Sequence, residues 1–311
     1  MNDNKFSKAF HLFALSLDPI HVGTGGMRLG RVDLTISREP GTNLPKIPGT
    51  SLAGTCRTYA TMQHPEKFPA CAGQGQADNQ RNYKGHCGRY DCPICVTFGF
   101  SKGEQGSFQG LAQFSDARLV FFPVHSIQGP VWVTCPSILK EIGEDVQPPP
   151  DEQVFAASGL KVSDRLNLGW LMLPVADNNF TINSELFPEV PSEVLHNSVL
   201  ISDKLFSHIV NDNLEVRTSV SIDPQTGAAA EGMLFTYEAL PRASVMRFEV
   251  IISNPNFYRI NGKVPLEGNW DKITATVQTG LKMFEMLGIG GMTTRGMGRF
   301  RVLNLPKGGE Q

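Results

Sequence analysis

Nowhere in these 311 residues is there an apolar run near the roughly 18 residues that a membrane-crossing helix needs. The opening stretch, MNDNKFSKAF, has no apolar core of signal-peptide length, and the expectation from both absences is a soluble, cytoplasmic protein. Charge of one sign is missing too. Lys plus Arg number 28 against 30 Asp plus Glu, so bulk charge does not mark a nucleic-acid binder and any basic surface must be local. Six cysteines are too few for a disulfide scaffold of this size. No internal repeat and no linker divides the chain. What remains is a 41% hydrophobic composition, enough for a real core, which excludes disorder, collagen and coiled coil. The 31 glycines and 21 prolines predict many turns between short elements.

Residues 10–17 alternate loosely as a strand that ends at Asp18-Pro19. RVDLTIS, residues 31–37, reads as another, with Val32, Leu34 and Ile36 inward and Arg31, Asp33 and Thr35 opposite. Ile47-Pro48-Gly49-Thr50-Ser51 stops an extended segment and offers hydroxyls to cap a helix reaching about Met62. Further strands are predicted over 111–122, 131–135, 245–252 and 299–303. A helix is predicted over 271–287 from the spacing of Ile273, Val277, Leu281, Phe284 and Leu287. Residues 63–110 have little periodic hydrophobicity and read as an insertion; the stretch from 136 to 198, including EIGEDVQPPPDE, reads as irregular and partly a solvated loop. The pattern fits an α+β fold with insertions better than a doubly wound sheet.

Three stretches can carry chemistry. Cys71, then Cys87-x4-Cys92-Pro93-Ile94-Cys95, places thiolates where they can share one structural tetrahedral Zn²⁺, with His64 and His86 as alternatives for the fourth ligand; the alternative is a set of inert reduced thiols. Residues 288–299, GIGGMTTRGMGR, let backbone N–H groups approach phosphate, and no acid lies between Glu285 and Glu310 while Arg295, Arg299, Arg301 and Lys307 do. Near the N terminus Arg28, Arg31, Arg38, Lys46 and Arg57 face only Asp33 and Glu39 in the same stretch, and Ser51 at a helix start adds N–H donors or serves simply as a cap.

Taken together, four separated motifs resemble one family, the RAMP-type backbone subunits of type III CRISPR effector complexes, and within it the Cmr (type III-B) branch. They are His21-Val22-Gly23 with Arg31-Val32-Asp33 and Arg38-Glu39; Ile47-Pro48-Gly49-Thr50-Ser51-Leu52; Ser115-Asp116-Ala117-Arg118-Leu119 through Trp132-Val133-Thr134-Cys135-Pro136; and Gly290-Gly291 through Thr294-x-Gly296-x-Gly298. Ile201-Ser202-Asp203 and LFTYEALP, residues 234–241, support them. The cysteine-rich stretch departs from that branch and is more similar to the zinc-bearing insertions of other type III backbone proteins.

The resemblance implies one RAMP domain over 1–311: a ferredoxin-like, RNA-recognition-type palm, a zinc insertion projecting from it over 63–110, and a β-hairpin thumb within 214–240. It implies copies stacked head to tail along a CRISPR guide RNA, beside other effector subunits, with complementary target RNA read by base pairing. The thumb would displace a nucleotide at intervals and bend the target so that its own 2′-OH attacks phosphorus. Asp33 matches the catalytic aspartate of this endoribonuclease family, as holder of a divalent cation such as Mg²⁺ or Mn²⁺ or as acceptor of the 2′-OH proton. His21 and Glu238 are secondary candidates, as acid or second ligand; the plainer readings are a loop histidine bonded to backbone and a solvated charge. Arg31, Lys46, Ser51, Arg57, Gly290, Gly291 and Arg295 would bind RNA. A non-cleaving guide-RNA scaffold and a guide-processing endoribonuclease compete with target cleavage, and the presence of Asp33 favours cleavage over both.

Overall fold

Alternation along strand Ser7–Ser16 sends Leu12 and Ala14 to one face and Phe13 to the other, and the sheet around this strand is buried on both sides. The computed structural model describes residues 5–27, 32–73, 85–103, 106–177 and 180–306. Ser7–Ser16 pairs antiparallel with Val245–Ser253 on one side and Phe300–Val302 on the other. Ala117–Ser126 lies antiparallel beyond Val245–Ser253, followed by Gly129–Thr134, the parallel strand Ser198–Leu200 and Phe155–Ala156. In chain order the four central strands and two main helices run β-α-β-β-α-β, and the strands lie second, third, first, fourth across the sheet.

Helices Gly49–Met62 and Trp270–Lys282 cover one face. Leu52, Cys56 and Ala60 recur every four residues and meet Ile273, Val277 and Leu281, each large side chain contributing about 1.5–3 kcal/mol by burial. The helices cross closely at Gly280, where any Cβ would overlap the carbonyl oxygen of Cys56. The opposite face carries a second core in which Phe13, Phe121, Trp132 and Val245 meet Leu139, Phe187, Val194 and Leu195. Much of that cover comes from the stretch expected to be irregular, through pieces as short as Pro136–Ile142 and Ser192–His196, too brief to print a periodicity.

Four expectations need correction. The helix from Gly49 has no hydroxyl cap: Pro48 is the N-cap residue, and the Asp116 carboxylate accepts from Gly49 N at 2.8 Å. The segment predicted as one helix over 271–287 is two, Trp270–Lys282 and Phe284–Leu287. Among the described residues of RVDLTIS, Val32 to Ser37, the strand covers only Leu34–Ile36. Finally, the described part of the cysteine-rich stretch does not project, because helix Pro93–Phe98 buries Ile94, Cys95 and Val96 in the main core.

A smaller sheet stands beside the large one, in the order Glu215–Ile222, Ala229–Ala239, Leu34–Ile36, Gly23–Met27. Its first two strands form a long hairpin whose outer half exposes Val220 and, directly opposite, Leu234. Among the described residues no helix is long and apolar enough to cross a membrane.

Candidate active site

Pro19, Ile20 and His21 leave the central sheet and run between the hairpin and the glycine-rich loop. Ile20 exchanges both backbone hydrogen bonds with Leu240 at the hairpin base, while Gly291 N donates to His21 O at 2.8 Å and Gly298 N to Pro19 O at 2.9 Å. Gly290, at φ +85°, comes so close to His21 O that a Cβ would collide with it, so this approach requires glycine. Met292 and Met297 seal the loop against Tyr237 and Ala239. Three chain segments far apart in sequence thus meet in one cradle.

His21 is buried, and its Nδ1 lies 2.7 Å from the backbone oxygen of Glu238. An oxygen acceptor there fixes the proton on Nδ1, leaving Nε2 unprotonated in the neutral ring. Glu238 is not a solvated charge. Its side chain is 8% exposed, Oε1 accepts from Ile36 N at 2.8 Å and from Arg38 Nη1 at 2.6 Å, and Oε2 accepts from Arg38 Nη2 at 2.8 Å. Both oxygens are spent on holding strand Leu34–Ile36 and Arg38 against the hairpin.

Asp33 sits one residue before that strand, half-exposed. Its Oδ2 accepts from Thr236 N at 2.7 Å and from Thr236 Oγ1 at 2.9 Å, and its own N donates to Thr236 Oγ1 at 3.1 Å. These donors hold the carboxyl below the usual carboxylate range, so it is ionised at neutral pH. No described residue bonds Oδ1.

The expected basic surface is largely dismantled by partners from elsewhere in the chain. Arg38 belongs to Glu238, and Lys46 Nζ lies 2.6 Å from Asp116 Oδ2. Arg299 is paired with Asp18 and Arg301 with Glu285. Ser51 is half-buried inside the first helical turn. Arg31 lies outside the described residues, as do Arg28 and Lys307. Arg295, on the short turn Thr293–Arg295, is exposed without a described carboxylate partner. Arg242, which lies outside the motifs, is exposed near Asp18.

Arg57 is the clearest reversal. It is buried, its Nε donates to Cys71 O at 2.7 Å, and it faces the cysteines instead of an open groove for phosphate. The ligand sulfurs of Cys71, Cys87, Cys92 and Cys95 all lie within 4.8 Å of one another, a set that could hold a metal such as zinc. Sγ of Cys95 is 3.6 Å from that of Cys87 and 3.7 Å from that of Cys71. A regular tetrahedron with metal–sulfur bonds of about 2.3 Å requires sulfurs about 3.8 Å apart. These spacings are compatible with sulfur as the fourth donor. His64 sits 3.7 Å from Glu66, and His86, buried with neither ring nitrogen bonded, is pushed down to about 4 by burial and by Arg57.

Comparison with known proteins agrees with this architecture. The chain is 24% identical over 268 residues to the CRISPR system Cmr endoribonuclease Cmr4 of Pyrococcus furiosus, covering 80% of this chain and 82% of that protein. Its fold is similar to a chain in the cryo-EM structure of the type III-B Cmr-beta complex bound to cognate target RNA, with a TM-score of 0.66, 15% identity, and 96% of this chain and 97% of that one covered. It is also similar to oligomeric Cmr4 of Pyrococcus furiosus, with a TM-score of 0.57, 20% identity, and coverage of 96% and 100%. The sequence pattern of the RAMP superfamily runs through residues 15–301, nearly the whole chain, which belongs to that family.

Proposed function

We propose that this chain is a backbone subunit of a type III-B CRISPR effector, which binds RNA within a ribonucleoprotein complex and cuts target RNA through Asp33. The observation that carries the reading is an ionised carboxylate fixed at the hairpin base with one oxygen left open, in a chain similar over 80% of its length to an endoribonuclease. On this reading the β-α-β-β-α-β unit is a ferredoxin-like palm, the hairpin is the thumb, and copies stack head to tail along a CRISPR guide RNA beside other subunits. Base pairing selects the target, so the protein has only to grip backbone. The exposed Arg295 suits that task, whereas the Gly291 N–H, expected to meet phosphate, is already donated to His21 O.

Val220 and Leu234, paired across the hairpin, are the wedge. Unstacking a nucleotide costs a few kcal/mol and kinks the strand, which brings a 2′-OH into line with its own phosphorus. The 2′ oxygen bonds to phosphorus as the bond to the 5′ oxygen breaks, so the products end in a 2′,3′-cyclic phosphate and a 5′-hydroxyl. Asp33 Oδ1 accepts the hydrogen bond of the attacking 2′-OH and then its proton, and water supplies the proton for the leaving oxygen. A carboxylate held low is a steady acceptor but a weak base, so its contribution is chiefly orientation and charge. His21 and Glu238, both buried and engaged, position this apparatus. A guide-processing reading would need His21 open to substrate, which its burial under the hairpin base does not favour.

The cradle does not fit a protein-only site for the divalent cation that the resemblance implies. Glu238 is spent on Arg38, and among the described residues the cysteine set is the only group of three or more His, Cys, Asp or Glu that converges. The cysteine set, by contrast, fits one structural Zn²⁺. Four thiolates leave Zn²⁺ with a net charge of −2, and the buried guanidinium of Arg57, whose Nη2 lacks any other partner, supplies the counter-charge.

The deciding experiment uses the complex reconstituted with guide RNA and labelled target. Regularly spaced cuts are expected from the wild type, and Asp33→Ala is expected to lower the rate by ~10²-fold or more while guide and target binding persist. Wild-type cutting by that variant overturns the assignment.

A further inference from the structure

We propose that Thr236 is the positioning residue for Asp33, aiming its free oxygen through the Thr236 side-chain hydroxyl. This rests on the reading that Asp33 carries the cleavage. Strand Leu34–Ile36 and the hairpin strand Ala229–Ala239 are parallel and share a single ladder pair, Tyr237 with Leu34. One residue earlier the ladder is replaced by side-chain bonds. The Thr236 hydroxyl accepts from Asp33 N at 3.1 Å and donates to Asp33 Oδ2 at 2.9 Å, while Thr236 N donates to the same oxygen at 2.7 Å. Two donors on one oxygen and one acceptor on the backbone leave the carboxylate no freedom to rotate, and Oδ1 becomes the oxygen presented to RNA.

Two neighbouring features make this arrangement specific. Glu238, two residues further along the same strand and on the same face, clamps Ile36 N and Arg38, so the pair of strands cannot slide. Toward the hairpin tip, the next residue on that face is Leu234, opposite Val220. The strand that carries the proposed wedge therefore also aims the reacting carboxylate, and displacement of a nucleotide and alignment of Asp33 are one mechanical unit.

The test compares Thr236→Val, which keeps the branched shape and the backbone N–H but loses the hydroxyl, with Thr236→Ser, which restores it. In the reconstituted complex with labelled target RNA, Thr236→Val is expected to slow single-turnover cutting by about tenfold or more, since a misaimed group of this kind costs up to ~10²-fold. Target affinity and melting temperature are expected to stay near wild type, and Thr236→Ser to recover cutting to within about threefold. Asp33→Ala is run beside them. If Asp33→Ala stops cutting but Thr236→Val cuts at the wild-type rate, the positioning role is overturned and the reading of Asp33 stands. Equal slowing by the Val and Ser variants, or loss of target binding and melting temperature along with cutting, also overturns it. Wild-type cutting by Asp33→Ala removes the reading itself.

Discussion

Two carboxylates do opposite things here. Asp33 keeps an oxygen open, whereas Glu238 has both oxygens bonded and is nearly inaccessible. Removing the charge of Glu238 leaves Arg38, itself largely buried, without its counter-charge, a change that costs several kcal/mol for fully buried pairs. Arg38 retains some solvent, so Glu238→Gln is expected to lower unfolding free energy by about 2 kcal/mol, measured by denaturant titration. Cutting should fall through misplacement of strand Leu34–Ile36. Loss of cutting at unchanged stability would instead make Glu238 a reacting acid. Arg57 teaches the complementary lesson: an arginine among phosphate-binding candidates is placed by its surroundings, and here those are four sulfurs.

Short elements and tight crossings organise the scaffold. Asp116 anchors the start of helix Gly49–Met62 from a distance of 67 residues, in the role the sequence offers to Thr50 and Ser51. Those hydroxyls lie within the first turn, while Asp116 leads into Ala117–Ser126, which pairs with Lys46–Ile47 just before the helix. The crossing at Gly280 sets two effects against each other. Alanine in a helix interior is favoured over glycine by about 1 kcal/mol, but a Cβ at 280 would overlap the Cys56 backbone, and overpacking costs about 1–3 kcal/mol with backbone movement adding more. The clash wins. Gly280→Ala is expected to reduce stability by about 2 kcal/mol in urea titration; a more stable variant would mean that the helices separate freely.

At the scale of the whole molecule, the cysteine cluster is part of the principal core and not an appendage, since Cys71, Cys92 and Cys95 pack in the same cluster as Leu52, Ile273 and Phe248. Losing a metal there should loosen the face that supports both main helices. Chelation under reducing conditions is expected to lower the melting temperature by about 5 °C or more, with Zn²⁺ restoring it. An unchanged melting temperature after complete removal of metal, verified by elemental analysis, would show the set to be inert thiols. The cradle, by contrast, is assembled by backbone bonds between residues 19–21, 240 and 291–298, and no single segment contains it.

The sequence by itself determined the α+β alternation, the end of the first helix at Met62, the grouping of the cysteines and the candidacy of Asp33, because periodicity, spacing and motif order are local properties of a chain. Only the tertiary structure decided who pairs with whom. Thr236 is 203 residues from Asp33, Glu238 is 200 from Arg38, and Asp116 is 70 from Lys46, so counting charges within a stretch gave a basic patch that distant carboxylates neutralise. Burial is equally invisible in residue type: Arg57 and His21 are polar side chains that end inside the fold, since contact between remote segments removes a side chain from water whatever its own chemistry.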